Sequence, residues 1–204
     1  MSTNRNKKAA LIGTAVAVGV FAAHQVYTYI DDRNTESQPY RLIRDDDGFQ
    51  IRFYPPVAMA SVNAATKSFD KLSRQNFGKV ADYIFGGNER HEEIAMTKPV
   101  HMAEDWRGSK MSFVMPGSYA EENLPEPNDT GVNLETSDAE YVAAITFGGF
   151  ASDDKIATKT KELRQLIEAK GLNHRGPFRF LGYNAPWQLI GRKNEIIVRI
   201  DWHE

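Results

Sequence analysis

Between Tyr40 and Asp201 one order of signals occurs twice, and this repetition limits the folds open to the chain more than any single residue does. YRLIR and FQIRFY flank DDDG, where Gly48 can take the positive φ that a hairpin turn needs. VAMASVNA follows Pro55-Pro56 and alternates as a strand does. A helix comes next, with Thr66 or Ser68 as its cap. Phe69, Leu72, Phe77, Val80 and Ile84 recur on one face, and Gly86-Gly87 stops it. IAMTKPVHM and KMSFVMP then read as two strands around DWRGS. After the connector GSYAEENLPEPND the order returns: VNLET, YVAAITFGGF, a helix capped by Ser152, FRFLGYN and NEIIVRID. Ile156, Leu163, Leu166 and Ile167 form the apolar stripe of that helix, and Lys170-Gly171 ends it. Two ββαββ units predict an α+β domain: a twisted antiparallel β-barrel of two pseudo-symmetric halves with two flanking helices.

Upstream of this body, residues 1–8 are basic and Ala9 to Ala23 carry no charge. If the helix continues to Ile30 it reaches roughly 33 Å, enough to cross a bilayer core of ~30 Å. Tyr27 and Tyr29 then fall at the far interface. The alternative is a cleaved secretory signal, because Val20-Phe21-Ala22 offers small residues where a signal peptidase reads. Residues 9–30 are thus a membrane anchor or signal segment, 31–39 a polar linker, and 40–204 the folded domain. Either reading carries the domain out of the cytoplasm, to the periplasm or the cell exterior, and cleavage makes it secreted.

Of 25 basic side chains, Arg5, Lys7 and Lys8 lie in the first thirty residues and none of the 27 acidic ones does, so the remainder has an excess of acid. That argues against a nucleic-acid partner. The absence of cysteine removes disulfides, thiolate zinc, iron–sulfur clusters and a cysteine nucleophile together. GGNERHEEIAMTKPV, residues 86–100, invites a metal reading, but Ala95 stands where a helical zinc-protease motif needs its second histidine. No serine lies in a Gly-x-Ser-x-Gly elbow, FGGFAS lacks phosphate-loop spacing, and Glu92-Glu93 and Glu121-Glu122 are neighbours whose side chains point apart. No catalytic signature remains, and the chain reads as a non-enzyme.

The same stretch resembles the Gly-x-Asn … Met-Thr-x-Pro-Val signature of the SOUL haem-binding protein family. FQIRFYPP, MSFVMPGSY, TFGGFAS and FLGYNAPW…GRKNEIIV agree with it in order, from Tyr40 to about Trp202. The resemblance implies a twisted antiparallel barrel of two similar halves, and a tetrapyrrole ligand, haem or porphyrin, bound reversibly. One branch of the family has a proposed axial histidine in a stretch like Ile-Arg-His-Tyr; this chain has Ile51-Arg52-Phe53-Tyr54. Members without that histidine hold the ring in an apolar groove beside the first helix, with basic side chains near the propionates. By that resemblance the cofactor-binding residues are Arg74, Phe77, Tyr83, Tyr183 and Trp187, with Asp82 where such members have a lysine. His91, His101, His174 and Met96 are the other candidate iron ligands, although Met96 also reads as packing and His174 as an exposed turn. In this reading Gly86-Gly87-Asn88 is a helix exit and Pro99 keeps the following strand near an edge. The alternative function is an envelope interaction domain that keeps the fold without haem.

Overall fold

The computed structural model describes residues 34–66, 69–105, 108–185 and 187–203, with the backbone alone for 70–75 and 105. The anchor or signal segment at 9–30 lies outside the described residues. Among those described, no helix is long and apolar enough to cross a membrane.

Nine strands form one antiparallel sheet: β2 (Arg41–Asp46), β3 (Phe49–Tyr54), β4 (Ala58–Ala64), β6 (Val100–Asp105), β7 (Gly108–Val114), β8 (Val132–Thr136), β9 (Glu140–Gly148), β10 (His174–Gly182) and β11 (Lys193–Ile200). Their spatial order is β2-β3-β9-β11-β10-β6-β7-β4-β8. Helices α1 (Phe69–Ile84) and α2 (Asp153–Ala169) follow β4 and β9, as the repeated pattern predicts. The halves meet where β6 pairs with β10, Met102 opposite Phe180. Each half also lends a strand to the other: β3 pairs with β9, and β8 with β4.

The expected barrel is not formed. The sheet is open, with β2 and β8 as its edges. Closure would need these two to pair, and β2 resists it with Arg41, Arg44, Asp45 and Asp46 and an irregularity between Leu42 and Arg44. A second correction concerns Pro99. It lies between β5 (Thr97–Lys98) and β6, and β6 is a central strand, not an edge one. Proline is tolerated because it precedes the first ladder position and so removes no bond from it. The linker also differs from a plain tether, since β1 (Glu36–Ser37) pairs in parallel with β5.

Both helices pack on one face of the sheet. Val80, Tyr83 and Ile84 of α1 and Ile156, Leu163 and Ile167 of α2 join Ile51, Met111, Phe113, Ile145 and Ile196 in a single core. Strand alternation sends the intervening residues to the reverse face, where Tyr54, Val142, Ala144, Leu181 and Ile197 form a smaller cluster. Ser152 caps α2, its hydroxyl accepting from the Lys155 amide at 3.3 Å.

The helix exit at 86–88 is built as the sequence suggests. Gly86 takes a φ of 99°, and Asn88 is fully buried behind it. Its Nδ2 donates to the carbonyls of Tyr83 and Glu92, and its Oδ1 accepts from the amides of Arg90 and Glu92. One amide therefore satisfies four backbone groups that a tight turn would leave stranded. Asn88→Ala is expected to cost ~2–3 kcal/mol in a denaturant unfolding curve, because it strands buried polar groups. An unchanged midpoint would show the turn holds without it.

Candidate functional site

The residues marked in the sequence fall in different places. Arg74 lies on α1, and its side chain is outside what the structure describes. Phe77, three residues on, is half-buried with its ring 5.4 Å from that of Phe113 on β7. Tyr83 is a core residue, its hydroxyl donating to the Pro125 carbonyl at 3.0 Å, and burial pushes the phenol up to about 12. Tyr183 is on the reverse face, in the second cluster. Trp187 is exposed in the loop between β10 and β11. Phe77 and Tyr83 are thus on the helix side and Tyr183 is not. Asp82 is exposed on α1.

On the reverse face a charged network is closed on itself. Arg52 and Glu195 form a bidentate pair, Nη1 to Oε2 at 2.8 Å and Nη2 to Oε1 at 3.0 Å, and both are almost wholly buried. Gln50 Oε1 accepts from Arg52 Nε and Nη2, and Arg52 stacks over the Tyr40 ring at 4.4 Å. Glu195 also accepts from the hydroxyls of Tyr183, at 2.7 Å, and Thr146, at 3.0 Å, and meets Lys193 Nζ at 3.0 Å. Burial alone would raise the Glu195 carboxyl. The bonds and charge of Arg52, with Lys193 and Tyr183, outweigh burial and hold it at about 2. Burial and the Glu195 charge push the Tyr183 phenol far upward. A carboxylate this well satisfied does not act as a base, so the network positions strands.

The histidines do not converge on a metal site. Among the described residues there is no group of three side chains that could hold a metal ion. His101 is buried, with Nε2 donating to Gln38 Oε1 at 2.7 Å, and burial pushes its ring down to about 3, so it stays neutral. His174 sits in β10, where it accepts on Nε2 from Arg164 at 3.3 Å; its proton is therefore on Nδ1, and its one ring lone pair is already engaged. His91 and Met96 are exposed.

What the helix side does offer is a groove of about 610 Å³ along α2, bounded by Glu104 of β6, Phe178 of β10 and Phe69 at the start of α1. Phe69, Ile156 and Phe178 supply its apolar surface, and Lys161 and Arg164 stand on its α2 wall with Glu104, Asp153 and Asp154 nearby. Arg164 lies over the Phe178 ring at 4.6 Å, which in turn meets the His174 ring edge-on at 5.0 Å. A volume of this order suits a small organic molecule. Sequence reasoning placed a groove beside the first helix, whereas this one runs along α2 and takes Phe69 from α1. Lys161 and Arg164 look in the sequence like an ordinary solvated helix face, and only the placement of Phe69 and Phe178 beside α2 gives them a shared role.

The Glu195 carboxyl titrates at about 2 when folded against an ordinary 4.5. Its contribution is present above the ordinary value and is lost as pH falls through the folded one. The unfolding midpoint should therefore decline as pH is lowered from about 4.5 toward 2. His101, depressed from 6.5, adds a decline that begins at higher pH. Glu195→Gln should remove the lower segment of that profile and, by stranding buried Arg52, cost ~3–5 kcal/mol at neutral pH. An unaltered profile would mean that the pair does not hold the strands.

The chain matches the family model described as SOUL heme-binding protein over residues 35–199. Heme-binding protein 1 of Sus scrofa is 25% identical over 174 residues, covering 80% of this chain and 92% of that protein. Heme-binding protein 2 of Mus musculus is 26% identical over 187 residues, covering 81% and 86%. Among solved structures, the EcmrR C-terminal domain is similar with a TM-score of 0.60 at 11% identity, covering 80% of this chain and 99% of that one. That last likeness concerns the fold alone.

Proposed function

Because the chain belongs to the SOUL heme-binding protein family, we propose that it binds a tetrapyrrole, haem or a free porphyrin, reversibly in the groove along α2. The observation that carries this reading is the pairing of an aromatic surface, Phe69 and Phe178, with the cations Lys161 and Arg164, which share α2 with Asp153 and Asp154. A flat macrocycle gains by burying its faces, at ~25 cal/mol per Å² before association costs are subtracted. An arginine fork gives its carboxylates a fixed orientation. The names of the relatives, Heme-binding protein 1 and 2, support the ligand class.

In this reading no side chain coordinates the metal. Phe53, at the position of the proposed axial histidine, packs its ring 5.0 Å from Tyr141. Iron-free porphyrin then binds about as well as haem. Arg74 and Phe77 lie on α1, whose Phe69 reaches the groove, Tyr83 anchors that helix to the core, and Trp187 lies outside the groove, in the loop beyond the other end of β10. Tyr183 acts from behind the sheet, by holding Glu195. The role is binding and delivery, not catalysis. We also propose that residues 9–30 tether the domain to a membrane and place it in the periplasm or outside the cell, on the strength of Arg5, Lys7 and Lys8 ahead of an uncharged run.

A titration of the full-length protein in detergent tests the ligand. Added haem should give a saturable Soret shift at micromolar protein, and iron-free porphyrin should compete for the same site. Arg164→Ala should weaken both by ~10-fold or more, the loss expected for a hydrogen bond to a charged group. Arg74→Ala should do the same if it meets the second carboxylate. No spectral change with a folded protein would leave the interaction-domain reading in its place.

A further inference from the structure

The loop between β10 and β11 is turned inside out with respect to water. Gln188 is 1% exposed, while its neighbours Trp187, Leu189 and Ile190 are 59%, 47% and 62% exposed. This is not looseness, because the loop is tied from within. Arg192 Nη1 donates to the carbonyls of Ala185 and Gln188 at 2.9 and 2.7 Å. Gln188 Nε2 donates to the Ile190 carbonyl, and the Lys193 amide closes the base on Asn184 Oδ1. The Arg192 guanidinium also covers the ring of Phe150, itself 57% exposed, at 4.6 Å. Polar groups are spent on holding the loop's shape, and four large apolar side chains are presented outward. A contiguous exposed apolar patch marks an interaction surface.

Where this patch lies says what it meets. Gly182, at the end of β10, pairs with Val100, and just upstream of Val100 the strand Thr97–Lys98 pairs with Glu36–Ser37. The loop and the point at which the N-terminal segment joins the fold therefore share one end of the sheet. That junction is fixed: Glu36 Oε1 accepts from the Gly117 amide, the Gln38 amide donates to the Lys98 carbonyl, and Gln38 meets His101. Only residues 31–35 separate Ile30 from β1. Five residues span at most roughly 17 Å. The stretches 142–152 and 182–193 contain no acid, and Arg192 and Lys193 flank the aromatic and aliphatic side chains. Cations beside exposed aromatics suit the phosphate level of a bilayer.

We infer that this end of the domain docks on the bilayer that holds residues 9–30, with Phe150, Trp187, Leu189 and Ile190 inserted at the interface. The inference rests on the membrane-tether reading above. Interfacial apolar groups sit ~5–10 Å deep, at the boundary of headgroups and acyl chains. Docking in this way presents the protein to the phase in which hydrophobic macrocycles collect.

The test uses the full-length chain in vesicles of phosphatidylethanolamine and phosphatidylglycerol, without haem. Trp106→Phe and Trp202→Phe leave Trp187 as the sole tryptophan of the three. Its emission should be blue-shifted and quenched by lipids brominated near the top of the acyl chain. Adding Leu189→Glu with Ile190→Glu should abolish both effects. Water-like emission that aqueous iodide quenches and bromolipid does not would overturn the proposal. Blue-shifted emission without bromolipid quenching would overturn it too, by assigning the patch to residues 9–30 folded back or to a second copy. Alkaline carbonate extraction reads the tether separately. Retained but unquenched protein defeats docking alone, extractable but quenched protein defeats the tether alone, and protein that does not sediment with vesicles defeats both. A second measurement needs no substitution: acyl-chain diazirine lipids should label residues 187–190 of the unaltered chain, and their absence from the labelled peptides counts against docking.

Discussion

Arg52 and Glu195 meet across the strand that separates them, and the register of the exchanged strand β3 is set at that point. β3 comes from the first half of the chain but pairs with β9 of the second, with β11 beyond it. A slip of one residue would carry Arg52 to the helix side, into an apolar core with no carboxylate. The bidentate pair makes that slip prohibitive. Buried ion pairs add little net stability compared with apolar packing, because both charges must leave water. Their contribution here is selection of one pairing, reinforced by Tyr183, Thr146 and Lys193 around a single carboxylate.

Hydrophobic periodicity shows which residues share a face, and it does not name the partner across the sheet. For that reason the order of strands and helices, the Ser152 cap and the stops at Gly86 and Gly171 were legible, while the exchange of β3 and β8 was not. Barrel closure was inferred from the two repeated ββαββ units, and the charges of β2 carried the opposite message. Tyr83 looked like a ligand contact because a phenol is ambiguous; the Pro125 carbonyl that satisfies it is forty-two residues away. Tyr183 belongs to the reverse face for the same kind of reason, since its partner Glu195 lies on another strand. Pro99 read as an edge signal, which holds within a ladder and not one residue before it.

The candidate groove illustrates how a binding surface can be divided between elements that are individually unremarkable. Phe69 starts one helix, Arg164 lies far along the other, and Phe178 follows the kink at Gly176-Pro177 in β10. Each has an ordinary structural explanation alone. Together they offer an apolar floor beside the cations Lys161 and Arg164, with Asp153 and Asp154 at the start of the same helix. Neither of the bonded histidines offers a free ligand: buried His101 is spent on Gln38 and half-buried His174 on Arg164.

The reciprocal loan of strands has a consequence for any attempt to divide the molecule. A nick in the connector near residues 126–131 would leave two polypeptides, each holding one ribbon of the other's sheet. Neither fragment has a complete set of neighbours, so each is a poor candidate to fold alone. Mixed, they are complementary pieces, and their reassembly would report the same cooperativity that makes the intact domain a single unfolding unit.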